Sequence, residues 1–407
     1  MGYYKDTVKG ISWIGGLRIV TRIISFARTA VIARILSPEQ FGLFGIASLA
    51  LILIEILTET GINVFLVQEK EKIEKYISTA WIVSIARGFL IFLTLLILTP
   101  FIGDFYSSPN AVSLLLIVSI TPLVRGFINP AVAIFQKELQ FNKEFYYRSS
   151  IFLVESVVAV GLVLVTKKPE GLVWGLVAGA LFEVVISFFI IKPIPRFSFD
   201  FILMKNIISR GKWVTFSGIF SYLFHNGDNI VVGKMRGVGA LGIYDMAYRI
   251  SMLPITEVAD VVAKVTFPVY VKIAHDRKRL KNAFLKSLLV VSALCFPIGV
   301  IFVLFPKEII SILLGDKWIE AAQVLQVLAI FGVVRAISGV SSSVFFATQK
   351  QEYTTVITLV SFVTLAISIV PFINMFGLIG AGLSAVLGSL MAVPFIIYYT
   401  IKIFKIK

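Results

Sequence analysis

Charge is what this chain has least of. Only 15% of its 407 residues are Asp, Glu, Lys or Arg, against 58% hydrophobic residues. A soluble domain carries about 25% charged residues, so a soluble enzyme or a soluble binding module is excluded. There is one cysteine, Cys295, set in an apolar run. That rules out a disulfide within the chain and a cysteine-rich metal site. Histidine occurs twice, at His225 and His275. The sequence has no Gly-x-x-x-x-Gly-Lys-[Ser/Thr] phosphate loop, which argues against ATP hydrolysis, and no His-Glu-x-x-His zinc motif. No nucleophile–base set is visible, and no cofactor is expected. The longest polar connections run to about twenty residues, too short to hold a separate catalytic domain. Met1 to Lys9 is polar, and the first apolar run contains arginines and lacks a small-residue cleavage site. A cleavable signal peptide is therefore not expected.

What is present is a succession of apolar runs, each long enough to cross a bilayer. They fall at 10–35, 41–67, 76–102, 111–135, 149–166, 171–191, 207–233, 241–270, 283–305, 319–347, 354–374 and 376–401. The expectation is an all-α integral membrane protein of about twelve transmembrane helices. The net charge of +15 is unevenly spread. Twenty-three Lys and Arg residues flank the connections on the side shared with both termini. The opposite side has seven: Arg34, Lys167, Lys168, Lys234, Arg236, Lys307 and Lys317. This positive-inside bias places both termini in the cytoplasm and the chain in the plasma (inner) membrane. The basic excess reads as topology and attraction to anionic lipid heads, not as affinity for nucleic acid.

The chain also repeats itself. Val31–Ala47 aligns without a gap on Val231–Ala247, an offset of 200 residues at which Trp13 also meets Trp213. Gly171–Gly179 resembles Gly377–Ala385 at an offset of 206. Pro193 and Pro195, in the segment Lys192–Asp200, break the chain between halves 1–195 and 196–407. The stretch from there to Lys212 reads as an amphipathic helix on the membrane surface. Six spans per half give both halves the same orientation. They form two six-helix lobes, related by a pseudo-two-fold axis along the membrane normal, with a transport path between them. Glycines in the closing helices permit close packing. Prolines within or beside spans (Pro122, Pro130, Pro254, Pro268, Pro297, Pro371 and Pro394) are either bending points or static kinks.

Ionisable groups inside spans are costly and face the interior. In the first span Arg18, Thr21, Arg22, Ser25, Arg28 and Thr29 share an arc of about 120°. Glu55 and Glu59 on the second span match Arg22 and Arg18 in depth, so a structural ion-pair network is one reading. Arg28 has no such partner on the second span, and Arg87 and Arg125 add two mid-membrane cations. The other reading is an anion path, because guanidinium is permanently charged and forks onto phosphate oxygens. Arg18, Arg22, Arg28, Arg87 and Arg125, with Arg335 from the second half, are the candidates for a pyrophosphate or other anionic head group. In the second half Asp228 matches Arg249 in depth, and Glu257, Asp260 and Lys264 have helical spacing. Glu55, Glu59, Asp228, His225 and Glu257 are candidates to take up a proton or sodium ion that drives a cycle.

The segment from Ala33 to Gly42 carries a resemblance. Arg34, Leu36, Ser37, Pro38, Glu39, Phe41 and Gly42 resemble the junction of the first and second spans in Wzx-type polysaccharide flippases of the MOP (multidrug/oligosaccharidyl-lipid/polysaccharide) transporter superfamily. Gly233 to Tyr244, followed by Ala247 and Arg249, resembles the junction of that family's seventh and eighth spans. The resemblance implies two six-helix lobes around a central cavity. It implies transfer of polyprenyl-pyrophosphate-linked oligosaccharide repeat units from the cytoplasmic to the outer leaflet by alternating access. Partners would be the lipid-linked oligosaccharide, membrane lipids and other polysaccharide assembly proteins. The chain is similar to the branch that handles O-antigen, colanic acid and teichuronic acid units. Two other functions stay open on the residues alone. One is a cation-coupled multidrug antiporter of the same fold, for which the arginine stripe has the wrong sign. The other is a membrane glycosyltransferase, against which the short loops count.

Overall fold

The computed structural model describes residues 2–68, 73–198 and 200–405. Among them there is no β-strand. By internal packing the chain divides into two compact units, Met1–Gly227 and Asp228–Lys407. The division falls within a helix, whereas the sequence repeat divides at 195/196.

The first unit contains α1 (Gly2–Ile35), α2 (Pro38–Leu57), α3 (Ile62–Gln68), α4 (Glu74–Phe105), α5 (Asn110–Arg125), α6 (Ala133–Lys137), α7 (Phe141–Thr166) and α8 (Glu170–Ile190). A turn of 3-10 helix, Pro130–Val132, leads into α6. From Phe201 to Arg236 runs α9. The second unit continues with α10 (Val238–Ile273), α11 (Arg277–Leu304), α12 (Pro306–Leu313), α13 (Ala321–Ala347), α14 (Gln351–Phe376) and α15 (Leu378–Phe404). Helices lie at the positions of the expected spans, with two departures. The span expected at 41–67 is broken into α2 and α3, and that at 111–135 into α5 and α6, which are bent by 72°. Among the described residues eight helices are long and apolar enough to cross a membrane, or nine with the bent pair taken as one span. Among the described residues, length and composition thus support eight or more of the twelve expected crossings. The stretch expected to be a separate surface helix is instead the start of α9, capped by Asp200, whose Oδ1 accepts from the Leu203 N–H (3.1 Å). The side chains of residues 205–217, Trp213 among them, lie outside those described.

Many of the exposed side chains are apolar: Ile97, Val165, Phe189, Leu289, Ile367 and Met375 are each at least 65% exposed. A surface of this kind is stable in lipid, where helices satisfy their backbone groups internally. Sequence also explains the sharp reversals. Between α1 and α2 stands a capping box: Ser37 Oγ accepts from the Gln40 N–H (3.3 Å), and Gln40 Oε1 accepts from the Ser37 N–H (2.9 Å). Pro38 begins the helix where no N–H is needed. Gln40 Nε2 then donates to the Lys167 carbonyl after α7 (3.1 Å), tying the reversal to the bundle. At the repeated junction the device differs. Gly237 alone, at φ +85°, turns α9 into α10, a conformation that costs little only without a Cβ.

Candidate functional site

The two broken helices of the first unit meet around one cavity of about 420 Å³. It is lined by Glu55, Glu59 and Asn63 from the α2–α3 break, Arg87 and Gly88 from α4, Arg125 and Asn129 from the α5–α6 break, Tyr147 and Arg148 from α7, and Glu183 from α8. Three arginines therefore face three glutamates.

Each break is stabilised by groups reaching across it. At the first, α2 ends at Leu57 and leaves carbonyls without intrahelical partners. Arg87 supplies them: Nε donates to the Thr58 carbonyl (2.8 Å) and Nη2 to the Glu55 carbonyl (2.7 Å). Nη2 also pairs with Glu59 Oε2 (3.2 Å), while Glu59 Oε1 accepts from the Gly61 N–H (2.9 Å). A cation at a helix C-terminus is favoured by the helix dipole as well. At the second break, Trp81 Nε1 donates to the Phe127 carbonyl (3.0 Å), and the Asn129 N–H donates to Ser187 Oγ (3.1 Å). Asn129 Oδ1 accepts from the Ala131 N–H (3.0 Å) and starts the next turn.

Close approach of α4 to α5 sets the spacing of the two central arginines. A Cβ on Gly88 would lie 2.5 Å from the Pro122 carbonyl oxygen, and one on Gly126 2.9 Å from that of Ser84. Arg87 and Arg125 each precede one of these glycines. Arg125 is held loosely: Nη1 lies 3.6 Å from Glu55 Oε1, and its buried Nε has no hydrogen-bond partner among the described residues.

The structure brings four of the expected residues, Glu55, Glu59, Arg87 and Arg125, to this cavity. Arg28 lies outside its lining. Its Nη1 pairs with Glu155 Oε1 of α7 (2.6 Å), and its guanidinium stands 5.2 Å from the Phe152 ring centre. Arg18 and Arg22 are exposed on α1, also outside the lining. Glu55 pairs with Arg125 and Glu59 with Arg87. In the second unit Arg335 Nη1 donates to the Tyr248 hydroxyl (3.2 Å). Arg249 pairs with Asp245 (2.8 Å), not with Asp228 as expected. Asp228 is buried and accepts from the Tyr244 hydroxyl. His225 is exposed and Glu257 half-buried. Sequence reasoning did not single out Arg148, Tyr147, Asn63 or Asn129. A signal for Asn129 was its place before Pro130 inside an apparent span.

Several solved structures share this arrangement of helices. Lipid II flippase MurJ, in an inward closed conformation, matches with a TM-score of 0.73 over 97% of this chain and 89% of its own, at 19% identity. An inward-facing multidrug resistance MATE family transporter of the MOP superfamily matches with a TM-score of 0.73 over 94% of each chain, at 17% identity. The fold is the one seen in MurJ and in this MATE family transporter. Residues 31–323 match the family model described as polysaccharide biosynthesis protein, and the chain belongs to that family. Among curated relatives, lipopolysaccharide biosynthesis protein WzxC of Escherichia coli (strain K12) is 24% identical over 86% of this chain and 72% of its own length. Teichuronic acid biosynthesis protein TuaB of Bacillus subtilis (strain 168) is 25% identical over the same shares.

Proposed function

We propose that the chain is a flippase. It moves polyprenyl-pyrophosphate-linked oligosaccharide repeat units from the cytoplasmic to the outer leaflet by alternating access, for surface polysaccharide biosynthesis. Family membership and the names of the relatives support this reading, and the fold shared with a lipid II flippase agrees with it. The observation that carries it is Arg125. This guanidinium lines a polar cavity inside an apolar bundle and keeps one buried N–H unspent. Phosphate oxygens are the acceptors such a fork suits best. The cavity's volume fits a pyrophosphate and the sugar next to it, and the lipid tail stays in the bilayer. Arg87 shares the anion but spends most of its donors on the α2 terminus. Arg18, Arg22, Arg28 and Arg335 act elsewhere along the path. The protein sits in the plasma membrane with both termini cytoplasmic, beside other polysaccharide assembly proteins.

The test is a leaflet assay. Purified protein is reconstituted with a fluorescent polyprenyl-pyrophosphate oligosaccharide, and accessibility of the sugar to an external impermeant probe is followed. Protein-dependent movement that is lost in Arg125→Ala supports the reading; no movement by folded protein overturns it. A second reading, export of organic cations, draws on Glu55, Glu59 and Glu183 in the same cavity. Uptake of an organic cation dye by the same liposomes, in place of sugar movement, would favour it.

A further inference from the structure

The charged groups that line the first unit's cavity do not cancel evenly. Arg87 pairs with Glu59, Arg125 with Glu55, and Arg148 with Glu144, which also accepts from Gln136 Nε2 (2.8 Å). Glu183 of α8 lines the same cavity and forms no ion pair among the described residues. Its hydrogen-bond partner among them is the Tyr147 hydroxyl, 3.5 Å from Oε1, at the long limit for such a bond. Both side chains are fixed in direction. Tyr147 is 3% exposed, and its ring meets the Phe135 ring edge-on, with centres 5.9 Å apart. One turn before Glu183, a Cβ on Gly179 would lie 3.0 Å from the Glu155 Cβ of α7, and one on Gly175 would lie 2.6 Å from the Ala159 Cβ. That close approach holds α8 against α7 with Glu183 on the cavity side.

A carboxylate inside an apolar bundle needs donors. The protein gives Glu183 one distant donor, and the cargo can supply the rest. Sugar hydroxyls are such donors, and a carboxylate accepts them in short, charge-assisted bonds. Arg125 lines the same cavity, and its charge acts on Glu183. A ligand that spans both groups carries an anion beside neutral donors. A sugar joined to a diphosphate is built in that order. We propose that Glu183 is the sugar-selecting residue of the cavity: it accepts from hydroxyls of the sugar next to the diphosphate and turns away a sugar that carries a carboxylate there. The inference rests on the flippase reading and narrows its cargo to lipids with a neutral sugar at that position. Selection works through repulsion as well as attraction. A second carboxylate brought against Glu183 meets like charge beside arginines that already have carboxylate partners.

The experiment measures equilibrium binding to the full chain in lipid nanodiscs. The probes are bare polyprenyl diphosphate, the same lipid carrying one glucose, and the same lipid carrying one glucuronate. The glucose lipid is expected to bind the unaltered protein about tenfold tighter than the bare lipid, and the glucuronate lipid no tighter than the bare one. The readout is the ratio between probes, so an effect on the shared diphosphate cancels. A purely structural role for Glu183 would weaken all the probes alike and leave the ratios as they were. Glu183→Ala is expected to remove the glucose preference. Glu183→Gln keeps an acceptor without the charge, so it keeps part of that preference and gains affinity for glucuronate. Survival of the full glucose preference in Glu183→Ala, or the same rejection of glucuronate in Glu183→Gln, overturns the proposal. Should one variant fail to fold, the other decides. If no probe binds the folded protein, the flippase reading falls and the proposal falls with it. Probes that bind with the same ratios in the variants sink the proposal alone.

Discussion

Arg87 and Arg125 are the same residue type in one cavity, yet their surroundings assign them different work. Arg87 spends its donors on two backbone carbonyls and a carboxylate, so its removal leaves the α2 terminus unsatisfied. Arg87→Ala should destabilise the protein by about 1–3 kcal/mol, the upper part of the range for buried charged groups being reduced by partial exposure. Thermal unfolding in detergent measures it. Arg87→Lys should recover part of the loss, because an ammonium keeps the charge but cannot span both carbonyls. Arg125, with one long ion pair and an idle Nε, should behave in the opposite way. Arg125→Ala should change stability by less than about 1 kcal/mol. It should slow flipping by about tenfold or more, the worth of one charge-assisted hydrogen bond. Equal losses of stability in the two variants would contradict this division. A helical wheel was enough to put Arg18, Arg22 and Arg28 on one face of α1. It said nothing about Glu155, which lies 127 positions further on and holds Arg28. Matching depths with the next helix alone missed a partner that only the packing of α1 on α7 supplies.

Helices were legible in hydropathy because each is an apolar run, but their breaks were not. Thr58–Gly61 and Gly126–Asn129 are four residues each, too few to lower a hydropathy average across twenty. The broken ends survive because Arg87, Trp81 and Ser187, from distant parts of the chain, satisfy them. No local rule of sequence anticipates that. The α1–α2 reversal, in contrast, could be read directly, since Ser37, Pro38 and Gln40 form their capping box within four residues. Ser37→Ala should therefore cost about 1 kcal/mol in thermal unfolding, as for an ordinary helix cap. A more telling change is Gly88→Ala. Its added carbon meets the backbone oxygen of Pro122, which has no side-chain freedom with which to yield. The helices α4 and α5 must separate, carrying Arg87 and Arg125 apart. Flipping should fall as far as in Arg125→Ala although every charged group remains. Unchanged flipping in folded Gly88→Ala would show that the spacing of the two arginines is immaterial.

At the scale of the whole molecule, the repeat and the packing describe different things. The 200-residue offset superposes Ser37 on Gly237, and both stand at a tight reversal between long helices. One reversal is made by a capping box and the other by a positive φ, so the geometry is kept while the residues are not. The arginines follow the same pattern: Arg18, Arg22 and Arg28 align with Gly218, Tyr222 and Asp228. Duplication thus supplied two similar frames, and polar chemistry then diverged between them. The first unit keeps arginine–glutamate pairs around a cavity, and the second keeps a buried carboxylate without a counter-charge. A direction of transport needs the orientation of these frames, which rests on the uneven distribution of Lys and Arg. Thiol labelling tests it cleanly, because the native Cys295 is buried and gives little background. Lys278 lies in the basic start of α11, and Lys317 follows α12; both are exposed. In whole cells an impermeant maleimide should label Lys317→Cys and spare Lys278→Cys, and in inverted membranes the pattern should reverse. The opposite result would turn the protein over in the membrane. Movement toward the outer leaflet would then have to begin from the other end of every helix described here.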